Sequence, residues 1–562
     1  MNSKKILSFN GIETQFQVRG QILNTIRNID FDIYDKELVA IVGESGSGKS
    51  VLTKVITSMI DNNGYVKSGS VKYYPTQEAR DDVETGFREP IDFIDLHKAV
   101  VSRQTKLNFV KIISKQIKYL QKEIKIISNL NKELIETRLA VFKEKLDMYI
   151  KRHNLNSKKS DSIYKKMESI REKISRFVFL NKITIDEEFK EKTILELNLT
   201  IEKLKKEIIY YLPFSNEKKE ILKTAASIYQ KYISSNEYDV ESLDDLSKQI
   251  QSQDFLFNWE KEIIKYNDEI KNKKVDIDEL YIIINKYGYL GNKKHKNIRK
   301  GKKEIQKLRG ATVAVIPQDP MTSLNPLLSV GWQICEVLRK HSNMSKKQAR
   351  LRAIELLEEV GIANAKKRYK DIPGDYSGGM RQRVVIAIAL ACMPRILICD
   401  EPTTALDVTV QSTILKLIKS LQMKHNFTTI FITHDLGVVA NIADRVAVMY
   451  AGQIIECGKT KEVYYNPQHP YTWALLSSLP QLGEKGEDLY TIYGNPPSLK
   501  NKIIGDAFAP RNEFALDIDF VHSPPKFNVS SSHWARTWLL DKRAPKINVP
   551  KKIELLKKKM SK

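Results

Sequence analysis

The sequence has few cysteines and no long apolar run. Only four of its 562 residues are cysteine, and none stands in a CxxC pair, so we expect neither a disulfide framework nor a zinc site, and a reducing compartment fits. The longest apolar run, VVIAIALACM, is far shorter than the roughly 20 residues of a membrane span. The start of the chain also lacks an apolar stretch of signal-peptide length. We therefore expect any membrane contact to be peripheral and to depend on a partner.

Acidic residues are outnumbered, with 68 Asp and Glu against 92 Lys and Arg and a formal charge of +24. Such an excess suits nucleic acid or anionic lipid, but Lys, Ile and Asn are abundant along the whole chain, so general composition explains it equally well. The terminal stretch DKRAPKINVPKKIELLKKKMSK is basic, which fits either solvated charge or contact with anionic headgroups. Charge alone does not assign a partner.

A glycine-rich loop follows the first predicted buried strand. LVAIV, residues 38–42, precedes GESGSGKS, and a predicted helix begins immediately afterwards. This strand, loop and helix supply the context that the GxxxxGK[ST] phosphate loop requires, with main-chain N–H groups around the phosphates. Lys49 is expected to reach the β and γ oxygens and Ser50 to hold Mg²⁺. The predicted nucleotide-binding residues of this loop are Gly43, Glu44, Ser45, Gly46, Ser47, Gly48, Lys49, Ser50 and Val51.

Three further strands are predicted to end in polar side chains. ILICDE ends in Asp400, which can position Mg²⁺, and Glu401, which can orient or deprotonate the attacking water. TIFITHD ends in His434, which can contact the γ-phosphate, although a lone histidine there is more often structural. ATVAVIPQ ends in Gln318, whose amide can share the Mg²⁺ and water shell. Beside a phosphate loop, these residues indicate nucleotide hydrolysis.

Two adjacent glycines precede a predicted helix in DYSGGMRQRVVIAIALA. Paired glycines cost backbone entropy and bury nothing, so their place at a helix start favours bare N–H groups that face an anion. A phosphate is the expected ligand. Because the chain already has a phosphate loop more than three hundred residues earlier, the sequence leaves open which phosphate these glycines contact.

The amino-acid composition changes between about residues 75 and 305, where long segments rich in Lys, Glu and Ile replace the pattern of alternating strands and helices. Coiled-coil spacing of apolar residues predicts three amphipathic helices that pack together, and so a mainly helical insertion. The three seams are Ile113, Ile117, Leu120, Ile124, Ile127 and Leu134, with polar Asn131; Ile163, Met167, Ile170, Ile174 and Phe177; and Ile194, Leu197, Ile201, Leu204 and Ile208. No catalytic constellation lies in the insertion, which favours docking or spacing as its role.

Five motifs in order, GESGSGKS, IPQDPMTSLNP, YSGGMRQR, ILICDEPTTALD and FITHD, resemble the ATP-binding subunits of ABC transporters. More narrowly, NPQHPYTWALLSSLP and VMYAGQIIECG resemble the D-type subunit of the oligopeptide/dipeptide permease branch. The resemblance implies an α/β fold: a P-loop ABC-type nucleotide-binding domain with a RecA-like core, an antiparallel β part and a helical signature part, here with a long helical insertion and a small C-terminal domain. The predicted domains are residues 1–75 and 304–470 for the nucleotide-binding domain, 76–303 for the insertion and 471–562 for the C-terminal region.

The resemblance also implies how the sites are shared. In the family, the signature of one subunit covers the γ-phosphate held by the other, so Ser377, Gly378 and Gly379 would hold a partner's ATP. Asp407 would link the two sites across the interface. Phe16 is the best candidate to stack on adenine, with Phe31 as a nearby alternative.

The implied cofactors are ATP and Mg²⁺, and the implied activity is ATP hydrolysis that powers peptide uptake. The implied partners are a second, F-type ATP-binding subunit, two transmembrane permease subunits and an external substrate-binding protein, with no nucleic acid. The implied location is the cytoplasmic face of the cell membrane.

One family feature is missing. Many members of this branch hold an iron–sulfur cluster on C-terminal cysteines, but here Asp506, Asn512, Asp519 and Thr537 stand in the corresponding places. Without thiolates a cluster lacks ligands, so we expect none.

The alternative function is an ABC-type chromosome-maintenance or DNA-repair ATPase, since such proteins also combine this ATPase head with coiled coil. Their coiled coils usually enter beyond the glutamine loop, whereas Gln318 follows the insertion here. The HPYTWALL region also has no counterpart in them.

Overall fold

The computed structural model describes residues 4–19, 21–82, 87–100, 103–130, 132–152, 170, 173–174, 176–177, 180–181, 183–211, 294–342, 344–404, 406–479, 492, 494–500, 503–550 and 553–554. Asn131, Ile163 and Met167 of the predicted seams lie outside these residues. Two compact units are recognised. The first comprises Met1–Leu96, Ile126–Lys192 and Ile305–Lys562, and the second comprises His97–Lys125 and Thr193–Glu304.

The first unit contains an eight-stranded sheet in the order β11-β12-β10-β9-β3-β8-β7-β6. Its strands are β3 (Leu38–Val42), β6 (Val313–Ile316), β7 (Ile396–Asp400), β8 (Thr428–Thr433), β9 (Arg445–Tyr450), β10 (Gln453–Lys459), β11 (Phe527–Asn528) and β12 (Trp534–Ala535). β6, β7, β8, β3 and β9 run parallel, which accounts for their continuous apolar sequences: parallel strands are buried on both faces. Their carboxyl ends lie along the same edge of the sheet, where ligands bind in open α/β folds.

A second, antiparallel sheet has the order β2-β1-β4-β5. Its strands are β1 (Lys5–Val18), β2 (Gln21–Tyr34), β4 (Gly64–Tyr73) and β5 (Ile91–Asp92). The last of these pairs Ile91 with Tyr73 and Asp92 with Lys72, so the sheet continues beyond the point where sequence texture changes. This arrangement confirms the predicted antiparallel β part.

The helices are α1 (Lys49–Ile56), α2 (Gln77–Asp81), α3 (Phe93–Val100), α4 (Arg103–Ser128), α5 (Lys132–Arg152), α6 (Glu187–Tyr211), α7 (Lys294–Leu308), α8 (Pro320–Ser323), α9 (Val330–His341), α10 (Lys346–Glu359), α11 (Ala365–Arg368), α12 (Gly378–Leu390), α13 (Val408–His425), α14 (Leu436–Val439), α15 (Thr460–Tyr465) and α16 (Pro470–Ser477). Short 3₁₀ turns occur at Pro373–Asp375, Ala509–Arg511, Asp517–Phe520 and Trp538–Leu540. One apolar core joins the parallel strands to α9, α10, α12, α13 and α16. The α/β fold predicted from the sequence is therefore confirmed.

Most described residues of the insertion beyond β5 lie in helices, namely α3, α4, α5, α6 and α7. Most of the predicted seam in α4 is buried, as are Ile201 and Leu204 of α6. The first seam does not extend to Leu134, however, because α4 ends at Ser128 and Leu134 is 52% exposed in the next helix. The regular spacing thus crosses a helix boundary, which periodicity alone does not reveal.

Among the described residues, no helix combines the length and apolarity needed to cross a bilayer. The four cysteines are free thiols.

Candidate active site

The glycine-rich loop connects β3 to α1 as predicted. Gly48 has φ +102° and Gly46 has φ +81°, a left-handed backbone region that glycine enters without steric cost. A Cβ atom at Gly43 would lie 2.1 Å from the carbonyl oxygen of Met449, so only glycine fits there. The hydroxyl of Ser47 is buried and has no hydrogen-bond partner in the described part of the chain. The backbone of the loop thus has the conformation in which main-chain N–H groups can surround a phosphate group.

Lys49 begins α1, and its side chain folds back over the loop. Its Nζ donates to the carbonyl oxygens of Gly43 at 2.8 Å and Glu44 at 3.0 Å. The side chain is only 4% exposed and lies 3.8 Å from Oε1 of Glu401. Burial lowers the pKa of Lys49 below its usual value, although nearby carboxylates, first among them Glu401, oppose the shift. The ammonium group and the Glu401 carboxylate therefore flank one common space.

The carboxylates at the end of β7 have different surroundings. Asp400 accepts a hydrogen bond from the hydroxyl of Ser50 at 3.2 Å. Burial raises the pKa of Asp400 above its usual value, although the Ser50 hydrogen bond opposes this shift. A hydroxyl and a carboxylate oxygen are ligands that Mg²⁺ prefers, so this pair fits the ion.

Glu401 is the point where the predicted residues meet. Its Oε2 accepts from Nε2 of Gln318 at 3.3 Å and from the hydroxyl of Thr404 at 3.1 Å, and it lies 3.3 Å from Nδ1 of His434. Glu401 has φ +49°, which a residue with a side chain rarely adopts, and its N–H donates to Ile432 at 2.9 Å. Strain of this kind persists only where the surroundings enforce it, and it clusters at functional sites.

Thr404 was not identified from the sequence, in which it is one of two threonines in TTALD. No spacing rule distinguishes it from Thr403, which is buried. Only the turn after β7 brings its hydroxyl back to Glu401.

The signature begins α12, with Ser377 as its N-cap residue. The Ser377 hydroxyl accepts from the N–H of Met380 at 3.4 Å, and both Ser377 and Gly378 are exposed. The two glycines differ in their surroundings. A Cβ at Gly379 would lie 2.7 Å from Cγ1 of Val410 in α13, whereas at Gly378 the nearest atom is 3.9 Å away. Close packing thus explains Gly379, whereas Gly378 is exposed and has space for a side chain.

The remaining predicted residues, together with the alternative to Phe16, do not contact Glu401. Asp407 is exposed and caps α13 by accepting from the N–H of Val410 at 3.0 Å. Phe16 is 8% exposed in β1, where its ring packs against Gly64, so its stacking on adenine stays a prediction. The alternative, Phe31, is 5% exposed and contacts the ring of Phe9. Val51 lies half-buried in the first turn of α1.

Glu44 has partners far along the chain that the sequence does not indicate. Its carboxylate receives two hydrogen bonds from Arg511, at 2.8 and 3.1 Å, and its N–H donates to the hydroxyl of Tyr471 at 2.9 Å. The arginine follows Glu44 by 467 positions. No local pattern connects residues at such a separation.

The four residues in place of the family's cysteines are buried, at 1% to 8% exposure. Each uses a side-chain oxygen to accept a nearby main-chain N–H: Asp506 from Phe508 at 3.1 Å, Asn512 from Phe514 at 3.0 Å, Asp519 from Leu516 at 2.7 Å and Thr537 from Leu539 at 3.3 Å. Among the described residues, no group of three or more His, Cys, Asp and Glu is arranged to hold a metal ion. The absence of an iron–sulfur cluster stays a prediction, and these hydrogen bonds explain how the turns are held.

Asp506 gives a pH-dependent prediction for stability. Burial raises its pKa from 3.8 to about 7. Between those values the folded protein holds a proton that the unfolded chain has lost, so the stability contribution of Asp506 falls as the pH rises through this range. Asp506→Asn removes the titration but keeps the oxygen that accepts from Phe508. The variant should be more stable than the wild type, and its gain at pH 8 should exceed its gain at pH 5 by about 2 kcal/mol.

Urea unfolding of both proteins at the two pH values measures this difference. Asp517→Asn, an exposed aspartate nearby, is the matched control and should change stability equally at both values. An equal gain for Asp506→Asn at pH 5 and pH 8 would contradict the assignment.

Two family models match this chain, and both describe transporters. Residues 26–232 and 283–404, more than half of the chain, match the family model described as ABC transporter. Residues 455–518 match the model of the oligopeptide/dipeptide transporter C-terminal region.

Curated relatives agree. The chain is 59% identical over 248 residues to the oligopeptide transport ATP-binding protein AmiE of Streptococcus pneumoniae serotype 4, which covers 44% of this chain and 70% of the relative. It is 56% identical over 260 residues to OppD of Bacillus subtilis, covering 46% of this chain and 73% of the relative. It is 40% identical over 332 residues to OppD of Mycoplasma genitalium, covering 52% of this chain and 79% of the relative.

The chromosome-maintenance alternative finds no support among these matches. The motifs, the sheet that positions them and the matched residues agree with one another. The chain belongs to the ABC transporter family, as an ATP-hydrolysing member of its oligopeptide and dipeptide transport branch.

Proposed function

We propose that this protein hydrolyses ATP to power the uptake of oligopeptides through partner permease subunits. One observation carries the proposal: Gln318, Thr404 and His434 all converge on Glu401, beside Lys49 of the phosphate loop. A carboxylate held from several directions next to a phosphate loop suits the activation of water rather than a structural ion pair. The names of the relatives supply the transported class, oligopeptides and dipeptides.

ATP would bind on the loop of residues 43–51, with Lys49 exchanging its carbonyl partners for phosphate oxygens. Phe16 would contact adenine. Ser50 and Asp400 would hold Mg²⁺, which when bound neutralises charge on the phosphates. The left-handed backbone of Gly46 and Gly48 supports phosphate binding, because it allows successive main-chain N–H groups to turn toward an anion.

Glu401 would orient and deprotonate the attacking water. As the water oxygen bonds to the γ-phosphorus, the bond from phosphorus to the β–γ bridging oxygen breaks, and ADP and phosphate result. Gln318 and His434 would hold the carboxylate and contact the γ-phosphate, while Thr404 fixes one carboxylate oxygen. The carboxylate therefore does not have to reorganise at the moment of reaction.

A second subunit would complete the site. Ser377, Gly378 and Gly379 would close over ATP on the phosphate loop of a facing chain, an F-type subunit, and Asp407 would link the two sites. The exposure of Ser377 and Gly378 supports this arrangement, because helix N-terminal N–H groups without a partner are suited to an anion.

Two transmembrane permease subunits and an external substrate-binding protein would form the rest of the assembly, with this chain peripheral on the cytoplasmic face. Support comes from exposed apolar side chains that follow Gln318. Met321 is 60% exposed, Leu327 is 86% exposed and Trp332 is 47% exposed. Such side chains suit contact with another protein better than contact with water.

Ser377→Arg tests the shared site. A long cationic side chain at the start of α12 should leave ATP binding by this chain unchanged, because its own phosphate loop is intact. Hydrolysis by the assembled complex should fall about two- to ten-fold, since one of two composite sites loses its cover. Nucleotide titration of the single chain and phosphate release by the complex measure the two effects.

Ser420→Arg, at an exposed serine of α13, is the control and should affect neither measurement. Weakened ATP binding by the isolated Ser377→Arg chain would place the signature in its own nucleotide site and overturn the shared arrangement.

A further inference from the structure

Glu44 is an acidic residue in a loop built for an anion. A carboxylate beside a bound triphosphate repels it unless a cation neutralises the charge. Every polar group of Glu44 is engaged: its carboxylate with Arg511, its N–H with Tyr471, and its carbonyl oxygen with Nζ of Lys49 at 3.0 Å. Glu44 therefore joins the lysine of the phosphate loop to two residues of the C-terminal part of the chain.

Arg511 is built into this position. Its side chain is 3% exposed and also donates to the hydroxyl of Tyr450 at 3.0 Å. The guanidinium lies over the rings of Tyr450 and Phe508, 5.8 and 6.0 Å from their centroids. Parallel hydrogen bonds from a guanidinium to both oxygens of a carboxylate fix orientation as well as charge. Aromatic walls on the cation limit its movement further.

Tyr471 belongs to the same group of rings. Its ring centroid lies 4.6 Å from that of Tyr450 and 5.3 Å from that of Phe508. The hydroxyl that accepts from the N–H of Glu44 is thus held by packing. Tyr471 and Arg511 both lie in the residues that match the oligopeptide/dipeptide transporter C-terminal region.

We propose that Arg511 and Tyr471 are positioning residues for ATP, which act through Glu44. Arg511 neutralises and orients the Glu44 carboxylate, and Tyr471 fixes the N–H of the same residue. Together they fix the position of the Glu44 carbonyl oxygen, which Lys49 leaves when it binds phosphate. The C-terminal region is therefore part of the nucleotide site in addition to any contact with partners. The inference rests on the proposed function, because it concerns the affinity of the same loop for ATP.

Arg511→Gln in the full chain is the first test. It leaves the Glu44 carboxylate charged and unpaired next to the phosphate loop, so the Kd for ATP with Mg²⁺ should rise about ten-fold. In the assembled complex KM should rise by a similar factor, whereas kcat at saturating ATP should stay within about two-fold, because the residues around Glu401 are untouched. Arg511→Lys restores one charged hydrogen bond and should recover part of the affinity.

The double variant Arg511→Gln/Glu44→Gln separates this role from general packing. Without the carboxylate there is no charge to neutralise, so the double variant should bind ATP more tightly than Arg511→Gln alone. Additive losses of affinity would overturn the proposal, as would a Kd for Arg511→Gln equal to that of the wild type. Arg543→Gln is the matched control, since Arg543 makes a similar two-bond pair with Asp541 but is 83% exposed.

Tyr471→Phe keeps the test decisive if Arg511→Gln does not fold. It removes only the hydroxyl and should raise the Kd for ATP about three-fold, with half-buried Tyr465→Phe as control. Wild-type affinity in Tyr471→Phe would contradict the role of the C-terminal region. If the wild-type chain itself fails to bind ATP, the proposed function is wrong; if it binds and only the Arg511 and Tyr471 variants are unaffected, this inference alone is wrong.

Discussion

Glu401→Gln is expected to bind ATP as the wild type does and to hydrolyse it about 100- to 1,000-fold more slowly, since a positioned general base contributes about 10²–10⁴-fold. The amide is nearly the same size as the carboxylate and still accepts from Gln318 and Thr404, so the geometry of the site survives. It cannot take the proton of the attacking water. Phosphate release by the assembled complex and ATP titration of the chain measure the two properties.

Glu355→Gln is the control for this substitution, because Glu355 is 60% exposed on α10 and pairs with Arg352, away from the site. Near-normal hydrolysis by Glu401→Gln would mean that another group serves as the base. His434 is the first candidate, since its ring lies against the same carboxylate.

Lys49→Ala should weaken ATP binding itself, by about 100-fold, because the loop loses a buried cation aimed at the phosphates. The Lys49 side chain is 4% exposed, and its ammonium group donates to two carbonyl oxygens and lies 3.8 Å from the Glu401 carboxylate. Phosphate oxygens carry more negative charge than carbonyl oxygens and are therefore stronger acceptors for the same ammonium group. Titration with ATP and Mg²⁺ at several salt concentrations measures the loss.

Lys54→Ala provides the comparison, since Lys54 lies in the same helix but is 42% exposed and pairs with Asp61. It should change the Kd for ATP by less than about two-fold, as expected for a surface ion pair. Equal effects of the two substitutions would show that the overall charge of α1, rather than the position of Lys49, governs affinity.

The group of residues around Glu401 could be predicted from the sequence because its members follow parallel strands. Strands β6, β7 and β8 are adjacent, so Gln318, Glu401 and His434 reach one edge of the sheet wherever the strands pair in that order. Each residue had a local signal: an apolar run followed by a polar side chain. They converge on a single carboxylate because the strand order that the motifs imply places the three strands next to one another.

Other features escaped prediction because they depend on contacts between distant segments. The pair Arg511–Glu44 joins the first and last thirds of the chain, and no periodicity encodes it. The paired glycines predict exposed N–H groups at both positions, but the missing side chain of Gly379 also makes room for Val410. The first coiled-coil seam continued in sequence to Leu134 although the helix had ended. In each case the local sequence pattern shows which residue types are present, whereas packing between distant segments determines the structural role of each residue.

The short strand β12 pairs with β10 through Glu456 and Cys457, next to a fully buried carboxylate. Glu456 accepts from the main-chain N–H groups of Gln468 and His469 and contacts the ring of His533 at 2.8 Å. Removing the last strands would strip this carboxylate of its histidine and uncover a hydrophobic margin of the main sheet, which invites pairing with other molecules. We therefore expect a chain without β11 and β12 to self-associate more readily than the intact protein.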